Sequence, residues 1–253
     1  ALAFVLWALI MEAARRTGGP AIAIIFGLFS LYPIFADASF MPALFSGLPQ
    51  DIVATARYHI MSEESVLGIP TRVFGTLIIG FILFGVALQT TGGGRFFINL
   101  AFAVLGGVRG GPAKVAIFAS GLFGSLSGSV VTNVLTTGAM TIPAMKRTGY
   151  PSRYAGGIEA CASTGGVLMP PVMGATAFVM ASFLEVPYIA VATAAIVPSF
   201  LYFFALFVQI DSYAARNNVK GLPHEELPSV RKTIGEGWYY VFGFFLLVYL
   251  LIY

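Results

Sequence analysis

Lys114-Val115-Ala116-Ile117-Phe118-Ala119-Ser120-Gly121-Leu122-Phe123-Gly124-Ser125-Leu126-Ser127-Gly128-Ser129-Val130-Val131-Thr132-Asn133 opens a run of 31 residues without a charge, which ends at Lys146-Arg147. As a single helix the run would measure about 46 Å at 1.5 Å per residue, too long for a hydrocarbon core of roughly 30 Å. Two full spans need about 40 residues and a turn, so it is too short for those. A re-entrant hairpin fits: two helices of about a dozen residues each that enter a membrane, turn at 124–129 and return. Such a turn is tolerated at membrane depth only where protein or a wet cavity satisfies its backbone.

The rest of the chain sets that hairpin in a bilayer. Of 253 residues 58% are hydrophobic and only 10% charged, with a mean hydropathy of +0.87, against roughly 25% charged in a soluble domain. A disulfide scaffold is excluded, because Cys161 is the one cysteine. The net charge of +3 is small and scattered, which excludes a nucleic-acid partner. The chain begins inside an apolar run at Ala1-Leu2-Ala3-Phe4 and stops inside another at Leu251-Ile252-Tyr253. It therefore reads as part of a longer membrane protein.

Lys and Arg set the sidedness. With Arg15 and Arg16 inside and 19–36 crossing, the acidic stretch 37–67 lies outside and 68–91 returns. Twelve of the fourteen basic residues then fall on the cytoplasmic side, all but Arg57 and Arg72. That assignment puts Lys114 and Lys146/Arg147 on one side, which the hairpin requires. The short run 96–108 between Arg95 and Arg109 reads as an interfacial arm helix. A second interruption follows in Ser163-Thr164-Gly165-Gly166-Val167-Leu168-Met169-Pro170-Pro171. Proline lacks an N–H and disfavours helical angles before it, so half-helices 154–164 and 172–184 joined by unwound backbone are expected. Helix 187–209, a polar linker 211–236 and a last run from 237 complete the fold class: an all-α, integral-membrane, multi-span helical bundle with a re-entrant helical hairpin and a discontinuous helix.

Two interrupted segments in succession point to a transporter binding site. Unwound backbone frees carbonyl oxygens, helix C-termini carry partial negative charge, and hydroxyls and amides add neutral oxygens. Together these suit a small hard cation. The candidates are Ser125, Ser127, Ser129, Asn133, Ser163 and Thr164, with backbone at Gly128, Gly165 and Gly166 and the break at Pro170 and Pro171. Ser/Gly motifs also serve as packing surfaces and prolines as simple kinks; the length argument favours the site. Glu159 is the sole acid well inside a spanning segment, hence a proton carrier, a substrate contact or a partner of Arg153. His59 and His224 read as solvated loop residues, Cys161 as packing, Lys146 and Arg147 as headgroup anchors. No zinc-protease, phosphate-loop or nucleophile-elbow pattern is present, which argues against an enzyme.

The strings Arg109-Gly110-Gly111-Pro112-Ala113-Lys114-Val115-Ala116, Ser127-Gly128-Ser129-Val130-Val131-Thr132-Asn133, Thr141-Ile142-Pro143-Ala144-Met145-Lys146-Arg147-Thr148-Gly149-Tyr150 and Glu159-Ala160-Cys161-Ala162-Ser163-Thr164-Gly165-Gly166-Val167-Leu168-Met169-Pro170-Pro171-Val172-Met173-Gly174-Ala175 resemble the large (DctM-like) membrane subunit of TRAP transporters. The similarity is to fused permeases, small subunit before large, that work with TAXI-type binding proteins, and is strongest over 68–210. It implies a multi-pass permease of the bacterial inner membrane. Such a permease imports an organic solute, a carboxylate by analogy, that an extracytoplasmic TAXI-type solute-binding protein delivers. It implies sodium as coupling ion with no further cofactor, and an elevator mechanism built on two inverted repeats. On this resemblance 1–67 closes the small-subunit-like helices, 68–210 is the first repeat, and the second belongs to the remainder of the permease chain. The first sodium site falls on Ser127, Ser129, Ser163, Thr164 and Gly165. Val167 departs from the pattern, standing where a Gln is expected. The alternatives are proton coupling through Glu159 and a structural membrane subunit that does not transport.

Overall fold

The computed structural model describes residues 2–39 and 42–252. Ala1 and Tyr253 at the chain ends, and residues 40 and 41 of the acidic stretch, lie outside the described residues. The chain divides into two compact units, 1–74 and 75–253, and no β-strand occurs among the described residues.

In the first unit α1 (Leu2–Gly18) and α2 (Pro20–Phe35) pack on each other and on α3 (Ile52–Met61). Gly19 makes the corner at φ +86, and Pro20 at the first turn needs no N–H partner. The Trp7 indole N–H donates to Ser30 Oγ at 2.8 Å. The acidic stretch is thus not loop throughout. Asp51 caps α3, its carboxylate accepting from the Val53 N–H at 3.2 Å. His59 accordingly lies on a helix rather than in a solvated loop, its Nε2 donating to the Ser30 carbonyl at 2.7 Å.

Ile69–Thr90 is helical: α4 (Ile69–Val73), a π-helical turn at Phe74–Ile78, then α5 (Ile79–Thr90). The second unit continues with α6 (Gly93–Leu105), α7 (Gly111–Ser127), α8 (Val130–Arg147), α9 (Ser152–Gly166), α10 (Ala175–Phe183), α11 (Tyr188–Arg216) and α12 (Val230–Ile252). α7 is its centre, touching α5, α6, α8, α9 and α11. Its sequence explains this: Ala113, Ala116, Ala119, Ser120, Gly121 and Gly124 are all buried, and small residues let neighbouring backbones close in. α7 and α8 run back along each other, so that Val115 and Ala119 share a cluster with Ala144. Lys114 and Lys146 therefore lie at the same end of the pair.

Several boundaries differ from the sequence reading. The hairpin arms are 17 and 18 residues long, not a dozen. Both helices run on through their terminal charges, because Lys114 finds a partner without leaving the helix. α6 starts at Gly93, behind the left-handed Gly92, and buries Phe96, Phe97, Ile98, Ala101 and Phe102. α11 continues to Arg216 and α12 starts at Val230, leaving 217–229 as linker, with the expected start of the last run surviving as a kink at Gly237. Ile69–Thr90 and Tyr188–Arg216 are long and apolar enough to cross a membrane. On the second, Val197, Phe200, Leu201 and Phe204 are exposed, which a soluble core helix would bury.

An ion cluster fastens the open end of the hairpin to α11. Lys114, only 6% exposed, donates to Asp211 at 2.5 Å, and Arg109 binds the same carboxylate. Lys114 Nζ also lies 4.8 Å from the centroid of the Phe207 ring. Removing one partner of a buried charge strands the other. Asp211→Asn is therefore expected to lower the melting temperature in detergent clearly more than Glu12→Gln, which breaks the exposed pairs to Arg15 and Arg16; equal shifts would place the Lys114 charge in solvent.

Candidate functional site

Gly128 ends α7 at φ +61, a left-handed conformation suited to glycine. Ser129 caps α8, its Oγ accepting from the Thr132 N–H at 3.3 Å, so two residues make the turn. α9 ends at Gly166, and 167–174 is non-helical up to α10. This segment closes on itself, the Gly174 N–H donating to the Val167 carbonyl at 2.9 Å. It also docks on the hairpin tip. The Val172 N–H donates to the Ser125 carbonyl at 3.1 Å, and a Cβ on Gly128 would stand 2.5 Å from the Met173 carbonyl oxygen. Tyr188 on α11 reaches the Pro171 carbonyl at 3.0 Å and contacts that of Val172.

One turn back, the backbones of α7 and α9 close in on each other, with the Asn133 amide reaching in beside them. A Cβ on Gly124 would lie 2.6 Å from Gly166 Cα, and a Cβ on Gly166 would lie 2.6 Å from the Ser120 carbonyl. The C-terminal ends of α7 and α9 therefore come together, each with roughly half a negative charge. At the end of α7, Ser127 Oγ is shut off from solvent and has no hydrogen-bond partner among the described residues.

Beneath lies a buried polar cluster. Glu159 is 0% exposed. Its Oε1 accepts from Ser120 at 3.3 Å, from Ser163 at 3.3 Å and from Thr137, while Oε2 accepts from Thr141. Beside it Asn133, also fully buried, donates from Nδ2 to the Ser120 carbonyl at 3.0 Å. α7, α8 and α9 are thus joined by one carboxyl group.

The family model for the DctM component of tripartite ATP-independent periplasmic transporters matches residues 5–253. The chain belongs to the DctM family. The C4-dicarboxylate TRAP transporter large permease protein DctM of Pseudomonas aeruginosa is 34% identical over 199 residues, 76% of this chain and 45% of that protein. The isethionate TRAP transporter permease protein DctMQ of Oleidesulfovibrio alaskensis is 34% identical over 153 residues, 60% of this chain and 21% of that protein. The sialic acid TRAP transporter permease protein SiaT of Haemophilus influenzae is 33% identical over 139 residues, 51% of this chain and 23% of that protein. This chain spans less than half the length of each of these relatives. They are transport permeases, not enzymes.

Within this DctM-family chain the expected ligands separate into groups. Ser127, Gly128 and Ser129 form the tip, with Pro170 and Pro171 in the segment docked against it. Ser125 lends that segment its carbonyl, while its hydroxyl donates to the Leu122 carbonyl at 2.9 Å. Ser163 and Gly166 on α9 face the hairpin arms, and Asn133 reaches from α8 to the α7 backbone. Thr164 does not join them: it is exposed, and its hydroxyl donates to the Ala160 carbonyl at 2.8 Å. Gly165 faces the Tyr202 ring instead. The reason is that α9 remains helical through 163–166, so successive residues turn by about 100°. Glu159 does not pair with Arg153, which is exposed, and its enclosed carboxyl offers no surface for a substrate contact. Cys161, expected in packing, is exposed. Sequence reading missed Ser120, Thr137 and Thr141. Their signal was the four-residue spacing of Asn133, Thr137 and Thr141, matched by Glu159 and Ser163.

Proposed function

We propose that this chain is the first inverted repeat of a TRAP permease of the fused, TAXI-associated kind, which imports an organic solute with sodium across the bacterial inner membrane. The solute arrives from an extracytoplasmic TAXI-type binding protein, and a carboxylate is the favoured class. α7 and α8 form a re-entrant hairpin that moves with α9 and α10 as part of an elevator-type transport domain in a multi-pass protein. The sodium ion binds between the hairpin tip and the end of α9, at Ser127, Ser129 and Ser163 with backbone carbonyls. One observation carries the reading: the buried, unpartnered Ser127 hydroxyl in the last turn of α7, one turn on from where α7 meets the end of α9 at Gly124 and Gly166. A buried polar atom left without a partner is costly, and a cation would supply what it lacks. Family membership and the names of the relatives support the transport role.

The test uses the purified full-length permease. Sodium chloride is expected to raise its melting temperature relative to choline chloride at equal ionic strength, as a ligand of the folded state does. Ser127→Ala should raise the half-saturating sodium concentration about tenfold, equivalent to about 1.4 kcal/mol. An unchanged sodium response in Ser127→Ala counts against the site. A response to pH with none to sodium would favour the proton-coupled alternative at Glu159.

A further inference from the structure

The carboxylate of Glu159 has more partners than a structural tie needs, and their arrangement is specific. An ionised carboxylate only accepts, and has about four lone-pair sites. Four hydroxyls meet it, from three helices: Ser120 on α7, Thr137 and Thr141 on α8, and Ser163 on α9. Among the described residues no cation lies within ion-pair distance of it. Three of these contacts fall on Oε1 and one on Oε2, and among the described residues no group of three or more His, Cys, Asp or Glu side chains gathers around the carboxylate. Ser163 is the one partner that also belongs to the proposed sodium site. It sits one turn from the end of α9, on the same face as Gly166, and is 0% exposed.

We propose that Glu159 is a positioning residue for a small alkali cation, acting through the Ser163 hydroxyl. A serine hydroxyl has one hydrogen and two lone pairs. With its hydrogen committed to Glu159 Oε1, Ser163 presents only lone pairs on its other side, and so meets a cation as an acceptor. Without the carboxylate the hydrogen is free to turn towards the site and oppose the ion. Oε1 also gathers Ser120 and Thr137, which ties the orientation of Ser163 to the spacing of the hairpin arms. Glutamine weakens this arrangement: its neutral oxygen is a poorer acceptor for the three hydroxyls that Oε1 gathers, and its NH2 would stand in place of Oε2 beside Thr141, whose hydrogen can turn to the Thr137 carbonyl. The inference rests on the sodium site of the preceding section and extends it by one shell of contacts.

The experiment measures equilibrium binding of radioactive sodium to the purified full-length permease, with the melting temperature in choline chloride as a control for folding. Glu159→Gln is expected to raise the half-saturating sodium concentration tenfold or more. Glu159→Asp, which keeps the charge but withdraws it by one methylene, should move binding in the same direction. In a Ser163→Ala background Glu159→Gln should add less than twofold, the coupling expected of residues that act together. Thr141→Val removes a contact to Oε2 without touching Ser163, and should lower the melting temperature while leaving sodium binding within about twofold of the unchanged protein. Wild-type binding in both Glu159→Gln and Glu159→Asp overturns the proposal. So does a Glu159→Gln effect of equal size with and without the Ser163 hydroxyl. Absence of sodium binding in the unchanged protein defeats the sodium reading itself, whereas normal binding that ignores Glu159 defeats only this extension. Should Glu159→Gln not survive purification, Glu159→Asp and the Ser163→Ala cycle built on it decide the matter.

Discussion

Gly166→Ala is expected to destabilise the permease by about 3 kcal/mol and to abolish sodium-dependent stabilisation. The added methyl would stand 2.6 Å from the Ser120 carbonyl oxygen, 2.8 Å from Asn133 Nδ2 and 2.9 Å from Gly124 Cα. Two of these are backbone atoms of α7 and cannot swing aside as a flexible side chain does. The helices must part, and with them the hairpin tip and the 167–174 segment. Gly124→Ala meets the same contact from the other side, its methyl 2.6 Å from Gly166 Cα. The sign reverses elsewhere on the same helix. Gly156 and Gly157 have nothing within 4 Å of a built Cβ. Alanine there should be neutral or stabilise by up to about 1 kcal/mol, because glycine carries a conformational penalty within a helix. The check is a melting series for Gly124, Gly156, Gly157 and Gly166 to alanine, with and without sodium. If Gly166→Ala melts like Gly156→Ala, α7 and α9 do not touch at this point.

That the run folds back as two antiparallel helices was legible from its length. The 31 residues from Val115 to Met145 are too many for one span, and Gly128 stands near their middle. The break after α9 was legible in kind but misplaced. Gly165-Gly166 looked like the start of the unwinding, yet the helix tolerates both glycines, since each admits a neighbour: the Tyr202 ring at Gly165 and the α7 backbone at Gly166. Close approach, rather than helix breaking, explains them. The Glu159 cluster was only half visible. Charge marked the acid, but Arg153, the nearest base in sequence, suggested an ion pair. Thr137 and Thr141 looked like ordinary helix residues, because a threonine hydroxyl can bond to its own i−4 carbonyl. Both hydroxyls lie within reach of such a carbonyl, Thr137 at 2.7 Å from that of Asn133 and Thr141 at 3.0 Å from that of Thr137, and each has a single hydrogen to divide between it and Glu159. Only the packing of α8 on α9 brings them to Glu159. A sequence gives the face of a helix well and the identity of the facing helix poorly.

Asn133→Asp is expected to be the most damaging isosteric change in the chain. Asn133 is fully buried, and its Nδ2 is wedged between Gly124 and Gly166 while donating to the Ser120 carbonyl. Aspartate has nearly the same shape, so no cavity forms and no overlap arises; only the chemistry changes. The donor becomes a second acceptor, and lone pairs then face lone pairs across 3.0 Å. A buried acceptor left unpaired costs about 1–3 kcal/mol, and an ionised group in a site this dry costs more. The new carboxyl would also share Thr137 with Glu159, since Thr137 Oγ1 lies 3.4 Å from Asn133 Oδ1 and contacts Glu159 Oε1. The two acids would thus compete for one hydroxyl hydrogen. That competition makes a second, sharper expectation: Glu159→Gln, harmful alone, should restore part of the stability lost in Asn133→Asp, by removing one of the two acids that compete for the Thr137 hydrogen. Melting temperatures of the single and double variants form the cycle. Strict additivity would mean that the two side chains do not share a hydrogen-bond network, and the coupling of hairpin to α9 through Thr137 would then have to be abandoned.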